Sequence, residues 1–209
     1  MDQPPILYVR HAMAAADDSR HPTEWVLDDE GRGAASDLAD RLEVADGIGV
    51  LVSSTEPKAL GTAEVIATRW GAEVTSDERL REATRPWVGP GYRAVAHRYL
   101  RGETIDGWEQ QAVVAARADE AVHDAVKAAD GRTVVVVTHG LVLATLLCRI
   151  LGDDFDAESF WSCLAFPDAW ALDDSGLLHR PLGSFDTGQV AAIQSTTVGG
   201  RTQERPTGT

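Results

Sequence analysis

Cysteine is nearly absent: Cys148 and Cys163 are the only two in 209 residues. At most one disulfide is available, and no cross-linked framework of the small secreted kind is visible. Neither cysteine stands among histidines or other cysteines at metal-ligand spacing, so both are read as buried thiols. His21, His97, His123 and His179 have no metal-type spacing either; no metal and no cofactor is expected. Long apolar runs are missing too, and none approaches the ~20 residues of a membrane-spanning helix. The opening residues Met1-Asp2-Gln3-Pro4-Pro5 lack the basic region of a signal peptide and lead straight into an apolar stretch. A cytoplasmic location is expected. Positive charge is in short supply, with 19 Lys and Arg against 33 Asp and Glu and a formal net charge of -14. That balance argues against nucleic acid or an anionic membrane as a main partner. An anionic substrate must therefore enter a locally positive cleft.

What is present suits an ordinary globular domain, with 44% hydrophobic and 25% charged residues. A chain of this length buries roughly 70% of its extended surface, enough for a substantial core. Asp28-Asp29-Glu30 precedes a helical pattern in which Ala35, Leu38 and Leu42 share a face. A second helix starts near Pro57 and places Ala59, Ala63, Ile66 and Trp70 on one side, closing at Gly71. Ala72-Glu73-Val74 is read as a short strand. A long helix is predicted from about Trp108 to Ala129, with Val113, Ala116, Ala121 and Val122 among its apolar positions. Late in the chain, Ala169–Leu172 and Leu177–Leu182 read as a hairpin across Asp173-Asp174-Ser175-Gly176. No internal repeat is found. The alternation of strand and helix predicts a three-layer α/β sandwich. One domain is expected over residues 1–193, with a helical excursion at about 83–130 covering a pocket. The segment 194–209, rich in Ser, Thr, Gly, Arg and Gln, is expected to be a disordered tail.

Three strand-like runs end in residues suited to gripping phosphate. Ile6-Leu7-Tyr8-Val9 ends in Arg10-His11. Gly49-Val50-Leu51-Val52 ends in Ser53-Ser54, with Lys58 close behind. Thr133 to Val137 ends in Thr138-His139-Gly140, followed by an apolar helical pattern. Open α/β sheets bind ligands outside the carboxyl ends of their strands. Arg10 offers a planar fork for two phosphate oxygens. His11 is read as a nucleophile, one nitrogen attacking phosphorus while the other donates the hydrogen bond that fixes the tautomer. His139 sits at a helix start, where an anion is favoured. Lys58 supplies a point charge or is a surface lysine. Ser53 and Ser54 reach phosphate or cap the Pro57 helix, and the cap is the preferred reading. Trp87, Trp108, Trp161 and Trp170 line a pocket or pack the core, and the core is preferred for each.

Together Arg10-His11-Ala12, Thr138-His139-Gly140, Leu27 to Arg32, Ser53 to Ala63 and Leu80-Arg81-Glu82 resemble the histidine phosphatase superfamily, which includes the cofactor-dependent phosphoglycerate mutases. The likeness covers roughly residues 5 to 185. It implies a phosphoglycerate mutase-like, six-stranded and mostly parallel sheet flanked by helices. It also selects Glu82 among many acids as the proton donor, with Arg10, Lys58 and His139 holding phosphate and His11, Glu82 and His139 as the catalytic set. The implied reaction is metal-independent hydrolysis of a phosphate monoester, or of a phosphohistidine protein, through a phosphohistidine intermediate. A mutase-type phosphotransferase and a non-catalytic phospholigand binder are the alternatives on the same fold. Three positions depart from the pattern. Ala12 replaces a glycine, Lys58 replaces an arginine, and Asp17 stands where an asparagine is usual. The loop from Asp17 to Pro22 looks more like the phosphohistidine phosphatases, and the long excursion after Glu82 more like the small-molecule phosphatases.

Overall fold

The computed structural model describes residues 5–17, 19–42, 44, 47–152, 154–172 and 177–181. The turn expected across 173–176 and the tail from 194 lie outside the described residues. The sheet comprises β1 (Ile6–Arg10), β2 (Ile48–Ser54), β3 (Val74–Asp77), β4 (Thr133–Thr138), β5 (Asp168–Leu172) and β6 (Leu178–His179). Its spatial order is β3-β2-β4-β1-β5-β6. The first four strands in that order run parallel, whereas β5 is antiparallel to both β1 and β6. The sheet is therefore mostly parallel, as expected.

β4 explains the layering. Its central run of four valines is fully buried, as a strand covered on both faces requires. Val134 and Val136 point into one core, with Tyr8 and Trp170; Val135 and Val137 point into the other, with Leu7, Val9 and Leu51. Each such side chain contributes about 1.5–3 kcal/mol relative to exposure. Helices α1 (Asp29–Arg41) and α2 (Pro57–Trp70) cover one face. The other face carries α3 (Tyr92–Leu100), α4 (Gln111–Ala128), α5 (Gly140–Leu151) and α6 (Ala157–Cys163). α1 begins as the sequence indicates, with the Asp28 carboxylate accepting from the Gly31 N–H at 2.8 Å. α5 is apolar almost all round, and residues 140 to 147 are all buried, which makes it an internal helix.

Three local expectations shift. The third strand starts at Val74 rather than ending there, because its partners are Leu51 to Ser54. The long helix starts at Gln111, Trp108 belonging to the preceding turn, so the buried stripe is Val114, Ala118, Ala121, Val122 and Ala125. Val113 is 50% exposed and Ala116 lies half-buried. Cys148 and Cys163 are only partly buried.

Candidate active site

The carboxyl ends of β1 and β4 meet at one edge of the sheet. The His11 N–H donates to the Thr138 carbonyl at 3.0 Å, and the Thr138 hydroxyl donates to the Leu80 carbonyl at 2.6 Å. These bonds draw Arg10-His11, Thr138-His139-Gly140 and Leu80-Arg81-Glu82 together. All of the expected site residues, Arg10, His11, Lys58, Glu82 and His139, are buried. Four of them, with His139 just behind at Gly140, line a cavity of about 150 Å³.

His11 is held by its own chain. Its Nδ1 lies 2.7 Å from the Ala12 carbonyl oxygen, which can only accept, so the proton is on Nδ1. Burial first, then the charges of Lys58 and Arg10, push its pKa well below the ordinary value, against the Ala12 bond. The ring is neutral, and its lone pair sits on Nε2. His139 lies 5.1 Å away, centroid to centroid, in an edge-to-face arrangement. It is the N-cap residue of α5. Its Nε2 is 2.8 Å from the Ser54 hydroxyl, while its buried Nδ1 has no partner among the described residues. Burial and neighbouring positive charge push its pKa down too.

Arg10 lies flat against Phe166, its Cζ 3.3 Å from the ring centroid, and donates from Nη1 to the Leu164 carbonyl at 2.9 Å. Burial lowers its pKa to about 10, which leaves it charged at neutral pH. Its Nε is buried without a partner among the described residues. Gly140 permits this placement. A Cβ there would meet Trp161 Nε1 at 2.9 Å and Arg10 Cζ at 3.3 Å.

Glu82 is fixed from two directions. Its Oε1 accepts from the Ala83 N–H at 2.9 Å, and its own N–H donates to Glu56 Oε1 at 2.8 Å. Arg117 of α4 clamps this stretch, donating to the carbonyls of Arg79 at 2.6 Å and Arg81 at 2.8 Å. Burial raises the Glu82 pKa; Arg85 opposes that and Glu56 reinforces it. A carboxyl group kept protonated toward neutral pH is suited to giving up a proton.

Lys58 reaches the cavity but is already engaged. Its Nζ donates to Glu56 Oε2 at 2.5 Å and to the Pro22 carbonyl at 2.8 Å. One of its three N–H bonds remains for a ligand. Glu56 was not singled out in the sequence, although it stands two residues before Lys58. Ser54 is not a helix cap: the N-cap position is Glu56, and Ser54 accepts from the Glu56 N–H while facing His139. Ser53 donates to the Ser54 carbonyl at 2.9 Å.

Arg85 is a further cation that motif spacing did not point to. It lines the cavity, lies over the Tyr92 ring at 4.6 Å, and keeps a buried Nε without a partner among the described residues. The departures have structural answers. Ala12 is not among the positive-φ residues, and its N–H donates to the Thr62 hydroxyl at 3.0 Å. Asp17 turns outward, its carboxylate accepting from the Ser19 N–H at 2.9 Å, and it does not line the cavity. Trp170 and Trp108 pack in the core as expected, and Trp161 is buried there too. Trp87, by contrast, is 44% exposed and stands at the cavity mouth with Trp25.

This fold and these strand-end residues define a class. The chain belongs to the histidine phosphatase superfamily (branch 1), whose family model matches residues 6–165. Among solved structures, Bacillus stearothermophilus YhfR is 25% identical with a TM-score of 0.63, the alignment covering 90% of this chain and 99% of that one. The phosphoglycerate mutase from Bacillus anthracis is 19% identical with a TM-score of 0.63, covering 91% and 97%. A mycobacterial glucosyl-3-phosphoglycerate phosphatase in complex with inorganic phosphate is 23% identical, also at 0.63, covering 81% and 89%. The last two bear on the fold alone, a phosphoglycerate mutase-like one on which both a phosphatase and a mutase occur. No curated protein matches the sequence. Among the described residues, no helix is long and apolar enough to cross a membrane.

Proposed function

We propose that this chain hydrolyses phosphate monoesters through a phosphohistidine on His11, without a metal. The supporting observation is the tautomer of His11: a neutral ring whose Nδ1 proton is committed to the Ala12 carbonyl leaves Nε2 as a free nucleophile. Its neighbours suit the same chemistry. Arg10, Arg85 and Lys58, with its remaining N–H, line the cavity and hold the equatorial oxygens of the phosphoryl group in this mechanism. His139 adds a neutral donor. When the Ser54 hydroxyl donates to Nε2, the proton sits on the unpartnered Nδ1.

In the first step Nε2 of His11 forms a bond to phosphorus and the ester P–O bond breaks. Glu82 gives its proton to the departing oxygen. In the second, the Glu82 carboxylate takes a proton from water as the water oxygen attacks phosphorus. The P–N bond breaks, releasing inorganic phosphate and restoring neutral His11 and protonated Glu82. Net retention of positive charge in the pocket lets a dianion enter a chain of charge -14.

The test is phosphate release in the presence of chelator from an activated aryl phosphate and from an alkyl phosphate. Wild-type turnover should vanish in His11→Ala. Glu82→Gln should slow the alkyl ester by roughly 100-fold or more and the activated ester far less, because only a poor leaving group needs the proton. Undiminished turnover in His11→Ala would end the mechanism. Equal slowing of both esters would move the acid role away from Glu82. No turnover in the wild type, with phosphate still bound, would favour the binding-protein reading.

A further inference from the structure

The phosphate-gripping groups occupy only the floor of the cavity. Its mouth is built from Met13, Trp25, Trp87 and Tyr92 around the buried Pro22, with Trp25 and Tyr92 half-buried and Met13 and Trp87 left open. Met13 is 55% and Trp87 44% exposed, and Val26 and Val88 beside them are exposed as well. The rings form a continuous surface. Trp25 and Trp87 lie 5.8 Å apart, centroid to centroid, at 75°, and Trp87 and Tyr92 are 6.1 Å apart at 37°. Large apolar side chains held uncovered around a polar floor mark a binding surface.

Two of the polar groups on the rim are already engaged. The Trp25 indole N–H donates to the Asp17 carbonyl at 3.0 Å. The Thr23 hydroxyl lies 2.8 Å from His21 Nδ1, and the Tyr92 ring face is covered by the Arg85 guanidinium, whose Cζ lies 4.6 Å from the ring centroid. A polyol leaving group would find few partners here for its hydroxyls. A second anionic group on the substrate would have to compete with the phosphoryl group for the cations of the floor.

We infer that the cavity selects phosphate monoesters whose leaving group carries a flat apolar ring, seated against the half-buried Trp25 and the exposed Trp87. This rests on the floor being the phosphate site. The class is therefore aryl and arylmethyl phosphates rather than sugar, glycerol or carboxylated phosphates.

Two measurements test it. The first compares kcat/KM for 2-naphthylmethyl phosphate with that for glycerol 1-phosphate and 3-phosphoglycerate. The naphthylmethyl and glycerol esters both release a primary alcohol, so ease of departure is closely matched. The ring-bearing ester should be preferred by roughly 10- to 100-fold, the size that aromatic burial supplies. Trp87→Ala should collapse that ratio, Trp87→Phe should keep most of it, and thermal melts should show both variants folded. The second uses non-hydrolysable probes, 2-naphthylmethylphosphonate and methylphosphonate, in competition with inorganic phosphate. The ringed probe should bind at least about tenfold more tightly. A preference for glycerol 1-phosphate or 3-phosphoglycerate, or equal affinity for the two phosphonates, overturns the inference. Discrimination between the phosphonates with no turnover of any ester would keep the ring subsite and remove the hydrolase reading instead.

Discussion

Seven ionisable side chains converge within this small pocket, and their pairing decides which of them is free to act. Lys58 and Glu56 form a buried ion pair, with side-chain exposures of 9% and 7%. The same Glu56 carboxylate receives the backbone N–H of Glu82 and lies 3.8 Å from His139. Removing Lys58 would leave that carboxylate buried and unmatched. Lys58→Met should therefore destabilise the fold by about 3–5 kcal/mol in urea denaturation. The double change Glu56→Gln with Lys58→Met should recover most of the loss, since glutamine still accepts from Glu82 N–H. A single-variant loss below ~1 kcal/mol would show that solvent reaches the pair and screens it. The residue pattern conveyed Arg10, His11 and His139 because each stands at a strand end, visible as a break in a β-branched run, whereas Glu82 came only from the family resemblance and Lys58 stayed ambiguous. It conveyed neither Glu56 nor Arg85. Whether a carboxylate beside a lysine points to solvent or into a cavity depends on the crossing of β2 and α2 over Pro22. No local spacing records that.

The elements act as clamps on the reacting groups, and their tolerances are narrow. α5 enters the site at Gly140, packed so closely that a methyl group there would meet both Trp161 and Arg10. Gly140→Ala keeps the helix propensity and even improves it, yet the Trp161 indole must shift and the Arg10 guanidinium must give by a few tenths of an ångström. Activity should fall by up to about 10-fold, less than the ~100-fold cost of a full ångström of misplacement, while the melting temperature shifts by only a few degrees. Steady-state kinetics beside a thermal melt separates the two effects. Loss of fold and activity together would mean that Trp161 cannot yield. The helix starts and the valine-rich strand were legible in the sequence because caps and periodicity are local signals: Asp28 caps α1, Pro57 opens α2 and Thr133–Thr138 reads as one buried strand. The face of α4 was not legible. Val113 and Val114 are adjacent and equally apolar, and only packing against α5 and the sheet chooses Val114. Trp87 was assigned to the core for a related reason. A tryptophan's sequence neighbours do not reveal that the loop holding it ends at a cavity mouth.

The whole molecule binds protons differently when folded, and the site causes the difference. His11 and His139 are pushed down, first by burial, so the folded chain keeps them neutral where the unfolded chain charges them. Stability rises with pH wherever the unfolded chain holds more protons. The two histidines therefore withdraw stability as pH falls through their unfolded value of ~6.5. Each contributes a slope of about 1.4 kcal/mol per pH unit once below it. Glu82 is pushed up, first by burial, and acts in the opposite sense. Above its unfolded value of ~4.3 the folded chain holds the extra proton, so Glu82 withdraws stability as pH rises toward its folded value. Asp77 and Asp156, lowered mainly by hydrogen bonds from Arg79 and Ser159, lose their contribution only near pH ~4 and below. Between pH 7 and about 5.5 the site groups therefore govern the balance. Urea denaturation across that window should show wild-type stability falling with acidification. His11→Gln should flatten the decline, by an amount approaching about 1.4 kcal/mol per pH unit toward the acid end of the window, and Glu82→Gln should steepen it. Identical slopes in all three proteins would mean that these groups exchange no protons on unfolding. The neutral imidazole required for attack on phosphorus would then lose its support, because the burial that stops His11 from protonating is what produces the slope.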